Sequence, residues 1–281
     1  MGIATKFQGL KELWRFDNRW SLIISRLFFP SRSKLIYKFR GLEFLTDHAA
    51  GDANGARDLL VSDMYREHFR RMSLPNELNV LDIGANNGGF PLLLGSEGFA
   101  FRKLVSIELN PRTFERLQFN LERNFGAEVS AMNAAVCGTE REIEFSAGTA
   151  GTADSIYRST DSEDKSSAIV QGITFDHAIE IFGIESIDIC KMDIEGAEFE
   201  IFRSENASSV RKCKYVLIEI HHSGKDSRSF VIERLNWFGF AEIEPRPDDE
   251  FHHVHLFENQ RLDAGTPTAT TEASNVPGSM S

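Results

Sequence analysis

Two hydrophobic regimes divide the chain. Up to about residue 75, large apolar side chains recur at helical spacing: Phe7, Leu10, Trp14, Phe16 and Trp20, then Leu22-Ile23-Ile24 and Leu27-Phe28-Phe29, until Pro30 interrupts them. A second helical candidate runs from Asp58 to Met72. The pattern predicts a mainly helical extension over residues 1–75 that covers one side of the domain after it. From Asn79 onward, short apolar runs alternate with amphipathic stretches. Strands are predicted at Asn79–Ile83, Lys103–Glu108, Glu128–Val136, Ile187–Met192 and Tyr215–Ile220, with a half-exposed edge strand at Glu142–Phe145. Helices are predicted from Gly89, over Pro111–Phe125 with proline in its first turn, from a Thr174 cap through Phe182, over Gly196–Glu205 and over Ser227–Phe238. Two last strands, near Phe240–Glu244 and His253–Phe257, form an antiparallel hairpin around Pro245–Asp249. Residues 146–168, rich in Ser, Gly, Thr, Asp and Ala, read as a loop, and 261–281 as a disordered tail. The division is therefore an extension over 1–75, a domain over 76–260 and a tail over 261–281. Such alternation implies an α/β fold with a mostly parallel sheet covered by helices on both faces. Ligands in these sheets bind beyond the carboxyl ends of the strands.

Charge narrows the range of partners. The 281 residues carry a formal net charge of −11, which argues against general nucleic-acid binding. Residues 1–40 nevertheless hold nine basic side chains against Glu12 and Asp17, a balance of +7 that leaves −18 for the remainder. Such a basic head could face an anionic partner, a membrane surface or an acyl carrier, so peripheral membrane contact through residues 1–40 stays open. A solvated helix face is the plainer account. Cys137, Cys190 and Cys213 are isolated, which fits a reducing compartment and neither a disulfide framework nor a zinc knuckle. Ser21–Pro30 is too short for a signal-peptide core and is broken by Arg26, and no stretch is long enough to span a bilayer. Gly2 is followed by Lys6 where a myristoylation signal would have Ser or Thr. A cytoplasmic location is expected; oligomeric state is not readable.

The candidate chemistry begins at Val80-Leu81-Asp82-Ile83-Gly84-Ala85-Asn86-Asn87-Gly88-Gly89-Phe90, a buried strand that stops in a small-residue turn before a helix. Gly84 and Gly88 permit a sharp turn and close approach of a ligand, to which the helix N-terminus offers free N–H groups. About twenty residues on, Leu104-Val105-Ser106-Ile107 ends in Glu108, at the distance where an acid commonly receives the hydroxyls of a ribose. A nucleoside-containing cofactor follows. A dinucleotide turn would place glycine where Asn86 stands, to admit a pyrophosphate, so S-adenosylmethionine fits better than NAD.

A second cluster, Lys191-Met192-Asp193-Ile194-Glu195-Gly196-Ala197-Glu198, closely resembles the K-x-D-[IV]-E-G-x-E signature of the FkbM family of S-adenosylmethionine-dependent methyltransferases. Five further blocks fall in that family's order: Leu81–Gly88, Ile107–Pro111, Asn133–Val136, Ile173–Asp176 and Leu217-Ile218-Glu219-Ile220-His221. The resemblance spans Asn79–Glu244; Phe90-Pro91, after the glycine turn, is its one departure. It implies a class I methyltransferase fold (Rossmann-like, with a seven-stranded sheet whose last pair is antiparallel). It also implies O-methylation of a sugar or other hydroxylated small molecule, so the expected acceptor is a small molecule or glycan. Carried over, Asp82, Gly84, Asn86 and Gly88 surround the methionine portion and Glu108 the ribose. Asn133, Ala134 and Ala135 lie near the adenine, and Asp193 and Glu195 lie beside the transferable methyl group.

A hydroxyl acceptor must lose its proton, so a general base would help. Asp193 and His221 both follow strands that end on the cofactor side, and His221 could titrate near neutral pH. Glu195 is a further catalytic candidate, or an acid serving a helix N-terminus; Glu198 reads as the latter. Glu219 and His221 share a strand face, so Asp193, Glu219 and His221 could instead hold a divalent metal, although the spacing does not demand one. His252-His253 and His255 read as surface imidazoles of a hairpin, His222 as a loop residue, and Arg112, Arg116 and Arg123 as a solvated helix face. Two readings compete with the methyltransferase: an NAD(P)-dependent oxidoreductase, which predicts the glycine that Asn86 replaces, and a non-catalytic module that binds cofactor without turnover.

Overall fold

The computed structural model describes residues 12–50, 52, 55–146, 167–221, 227–244 and 254–263. Most of loop 146–168, the Pro245–Asp249 turn, His222, His252, His253 and nearly all of the tail lie outside them.

Helix α1 (Arg19–Phe28) is followed by strands β1 (Lys34–Phe39) and β2 (Leu42–Asp47), then helices α2 (Ala56–Val61) and α3 (Met64–Phe69). The pattern predicts helix for this stretch, but residues 34–47 form an antiparallel hairpin. Its cause is local. Leu35, Tyr37 and Phe39 are buried while Lys34, Ile36 and Lys38 are exposed, a period of two. Arg40 (φ 47°) and Gly41 (φ 85°) both take the left-handed conformation that a tight hairpin turn requires. The Asp58–Met72 candidate is likewise two short helices, broken at Ser62, which is extended (ψ 151°).

The rest follows the strand–helix alternation: β3 (Glu77–Ile83), α4 (Gly89–Ser96), β4 (Ala100–Glu108), α5 (Pro111–Asn124), β5 (Val129–Asn133), β6 (Ala135–Val136), β7 (Arg141–Ser146), β8 (Ser167–Ile173), α6 (Phe175–Ile181), β9 (Ile187–Met192), α7 (Glu198–Arg203), β10 (Cys213–Glu219), α8 (Arg228–Phe238), β11 (Phe240–Glu242), β12 (Val254–Asn259) and α9 (Gln260–Asp263). Seven strands form one sheet in the order β11-β12-β10-β9-β3-β4-β5, in which β12 alone runs antiparallel to its neighbours. This is the predicted α/β architecture. The predicted strand over 128–136 splits: β5 ends the main sheet, and β6 joins β8 and β7 in a separate three-stranded sheet.

Both faces of the main sheet are buried, which is why its central strands read as nearly continuous apolar runs. On one face Leu81, Ile83, Val105, Ile107, Cys190 and Val216 pack against α6, α7 and α8. On the other, Val80, Leu104, Ile189, Tyr215 and Leu217 pack against the hairpin, α2, α3, α4 and α5. The N-terminal extension therefore supplies a large part of this second core layer, including Phe16, Tyr37, Phe44, Leu60 and Tyr65.

Arg116 departs from the predicted solvated face. It is 6% exposed and grips Asp52 with two hydrogen bonds, Nε to Oδ2 at 2.5 Å and Nη2 to Oδ1 at 2.6 Å. Asn120 of α5 receives the Leu45 N–H and donates to the Asn87 carbonyl. These contacts fasten the extension to the helix after β4.

Candidate active site

Strands β3, β4 and β9 end side by side, so their following turns share one cleft. It encloses about 710 Å³, part of it open to solvent, and its lining includes Gly84, Asn86, Glu108, Ala134, Ala135, Asp193 and Glu195. Both acidic clusters singled out in the sequence thus face the same space, at the carboxyl ends of parallel strands.

The first wall is the glycine turn. Gly84 has φ 74°, and a Cβ there would stand 1.7 Å from the Asp193 carbonyl oxygen, so a side chain would force β3 and β9 apart. Asn86 also takes positive φ (50°), a conformation asparagine tolerates. Its N–H donates to Glu108 Oε2 at 2.8 Å, and the Asn110 N–H donates to Glu108 Oε1 at 2.8 Å. Glu108 is 7% exposed and borders the cleft. An ionised carboxylate oxygen can accept more than one hydrogen bond. Asn110 caps α5 by accepting from the Arg112 and Thr113 N–H groups, and Pro111 occupies the first turn.

Three predicted cofactor residues stand behind the lining. Asp82 is fully buried and faces Lys191 Nζ at 3.5 Å, while that ammonium donates to the Gly84 carbonyl at 2.6 Å. Burial pushes the Asp82 carboxyl up to about 6, against the opposing pull of the Lys191 charge. Asp82 therefore orders the turn through Lys191. Gly88 (φ 89°) begins α4 and faces Leu117, where its role is close packing between helices. Asn133 directs its amide to the Glu108 and Leu109 carbonyls, both at 2.8 Å, which leaves Ala134 and Ala135 as the lining.

The second wall carries a dense charged group. Glu195 (φ 53°) and Gly196 (φ 104°) turn the chain sharply after β9. Glu198, predicted as a simple helix-start acid, is fully buried and clamps this turn to the end of β10. Its Oε2 accepts from the Gly196 N–H at 2.9 Å and its Oε1 from the His221 N–H at 2.7 Å. The same Oε1 lies 3.2 Å from His221 Nδ1, which fixes the ring. His221 Nε2 then faces Glu195 at 3.4 Å and Asp193 and Glu219 at 3.8 Å each. Asp193, Glu219 and His221 each bring one ligand-type atom within 4.8 Å of the others.

This crowding sets the proton affinities. Burial disfavours a charged His221 ring, but the Glu198 hydrogen bond and the Glu198, Glu195 and Asp193 charges outweigh it and push the pKa up to about 9. The neutral-range titration expected of His221 is therefore displaced upward. Glu219 takes that range instead: burial and the Asp193 charge raise it to about 7, against the His221 and Lys191 charges. Burial also lifts the Tyr65 phenol well above its ordinary range, with the Asp193, Glu219 and Asp82 charges adding to the shift.

Ala50, Asp52 and Thr113 border the cleft and were not predicted. The Asp52 wall depends on its pairing with Arg116, 64 residues away. For Glu198 a signal existed, the return of an acid three residues after Glu195 across a glycine. His255, predicted to be a surface imidazole, is 3% exposed, with Nδ1 2.5 Å from Glu242 Oε1 across the β11–β12 pair.

Comparison with known proteins gives consistent matches. A protein named Methyltransferase 1, from Beauveria bassiana (strain ARSEF 2860), is 25% identical, the alignment covering 73% of this chain and 90% of that one. A methyltransferase FkbM crystal structure from Methylobacillus flagellatus KT is 18% identical with a TM-score of 0.43, covering 66% of this chain and 44% of that one. The chain thus spans less than half the length of that structure. M. jannaschii TYW2, solved in complex with AdoMet, is 14% identical with a TM-score of 0.42, covering 81% of this chain and 87% of that one. A family model described as the methyltransferase FkbM domain matches residues 82–261, more than half of the sequence, and the chain belongs to that family.

Proposed function

We propose that this chain transfers the methyl group of S-adenosylmethionine to a hydroxyl oxygen of a sugar or secondary metabolite. The observation that carries the proposal is the placement of Glu108 and Asp193 on one open cleft at the ends of β4 and β9. Glu108, held rigidly by two backbone N–H groups, is suited to receive the ribose hydroxyls. Gly84 and Asn86 border the methionine portion, and the small side chains of Ala134 and Ala135 leave room for the adenine. When bound, the cofactor supplies a methyl group already activated by a sulfonium.

The chain's remaining tasks are to align the acceptor, exclude water and take its proton. Asp193 lies at the cleft, with Glu219 and His221 immediately beyond it. Burial and the Asp193 charge raise Glu219 to about 7, which suits it to accept a proton at neutral pH; His221, charged below about 9, stabilises the carboxylates around it. The NAD reading is disfavoured because Asn86, and no glycine, stands in the turn and the acidic second wall has no role in hydride transfer. A divalent cation at Asp193, Glu219 and His221 is the second reading, favoured by their mutual approach and mixed oxygen and nitrogen donors.

Mass spectrometry of candidate hydroxylated metabolites, incubated with protein and S-adenosylmethionine, should reveal a methyl-sized gain. Asp193→Asn should suppress that turnover far more than cofactor affinity. Calorimetric binding of NAD without binding of S-adenosylmethionine would overturn the proposal. Activity that persists in EDTA supports the metal-free reading; activity lost in EDTA and restored by magnesium assigns the trio to a cation.

A further inference from the structure

Among the described residues, seven of the thirteen exposed large apolar side chains fall between positions 14 and 36: Trp14, Trp20, Ile24, Leu27, Phe28, Phe29 and Ile36. Helix α1 has two apolar sides. Leu22 is buried and Ile23 packs on the core, whereas Trp20, Ile24, Leu27 and Phe28 recur at helical spacing on the outward side. Trp14 stands edge-on to Trp20 with ring centroids 5.2 Å apart, and the Arg19 guanidinium lies 5.5 Å from the Trp14 ring centre.

The charge around this ridge is the reverse of the rest. Positions 14–36 hold Arg15, Arg19, Arg26, Arg32 and Lys34 against Asp17, a balance of +4, while the remaining positions total −15. A molecule so divided is repelled by an anionic surface on most sides and attracted on this one. No helix among the described residues is long and apolar enough to cross a membrane, so the ridge would lie along a surface. Outward tryptophans beside arginines match the composition of the headgroup region of a bilayer.

We propose that α1 and its flanking residues dock the protein on an anionic lipid bilayer. Hairpin β1–β2 connects this ridge to the cleft, because β2 ends at Asp47 and its continuation supplies Ala50 and Asp52 to the lining. Docking would therefore hold the cleft at a fixed relation to the lipid surface.

The test uses the full chain with vesicles of phosphatidylcholine alone or in equal mixture with phosphatidylglycerol, read by co-sedimentation and by tryptophan emission. The expected result is binding to the anionic vesicles with a blue-shifted emission and little binding to the neutral ones. Leu27→Ser/Phe28→Ser and Arg32→Glu/Lys34→Glu should each lower partitioning by about tenfold or more, the charge variant acting through the salt-sensitive part. All four positions are exposed, and unchanged S-adenosylmethionine affinity verifies that each variant is folded. Equal binding to both vesicle types would overturn the proposal. So would failure to bind either, including the case in which the chain elutes as a dimer that Leu27→Ser/Phe28→Ser dissociates.

Discussion

Glu108→Gln separates the two duties that the geometry gives to one carboxylate. In the native chain both oxygens accept backbone N–H groups, from Asn86 and Asn110, at 2.8 Å. Glutamine keeps the shape but retains one accepting oxygen; its amide nitrogen must face one of those N–H groups as donor against donor. Loss of one charge-assisted bond at a nearly buried position costs about 1.5–3 kcal/mol of stability in the cofactor-free protein. The ribose hydroxyls lose a charged acceptor at the same time. If they contribute a comparable amount, the Kd for S-adenosylmethionine rises about tenfold to 150-fold. Urea unfolding reads the first quantity and calorimetric titration the second. The 2′-deoxyribose analogue sharpens the comparison: it should bind native protein more weakly than the parent, and the variant should discriminate less between them. A variant destabilised as expected but with Kd within threefold of native would restrict Glu108 to holding the turn, and the ribose assignment would fall.

The remaining predictions concern protons and anchoring. In EDTA, kcat/KM should trace a bell, rising through about pH 7 as Glu219 loses its proton and falling through about pH 9 as His221 loses its own. Glu198→Gln, which removes the hydrogen-bonded charge from Nδ1, should draw the falling limb toward neutrality; an unmoved limb would exclude His221 as its source. Arg116→Ala should leave Asp52 buried and unpaired, costing about 3–5 kcal/mol in urea unfolding. A loss under 1 kcal/mol would show that water reaches Asp52.

What the sequence disclosed, and what it did not, divides by the range of the interactions involved. Strands β3, β9 and β10 are readable because burial on both faces writes a nearly continuous apolar run, and the residues that end them border the candidate site. The helix start at Thr174 was equally local, its side chain accepting from the His177 N–H three residues on. The β1–β2 hairpin was hidden by the aromatic spacing upstream, which satisfies a helical period until Pro30, although the alternation from Lys34 to Phe39 was present. Arg116 was misread because nothing nearby distinguishes it from Arg112 and Arg123; its partner is brought by the fold. The displaced titration of His221 has the same origin, since the turn after β9 brings Asp193, Glu195 and Glu198 to it from a distant part of the chain.

The coupling between the extension and the sheet bears on how such a chain can be handled. The family match starts at residue 82, inside β3, so a fragment cut to that boundary would keep only Asp82 and Ile83 of a central strand. It would lack Tyr37, Phe44, Leu60 and Tyr65, which shield Leu104, Ile189 and Leu217 from water. It would also forfeit Asp52, stranding the guanidinium of Arg116. Domain trimming guided by homology alone would thus produce a sticky half-shell, and a workable recombinant boundary must fall upstream of Lys34.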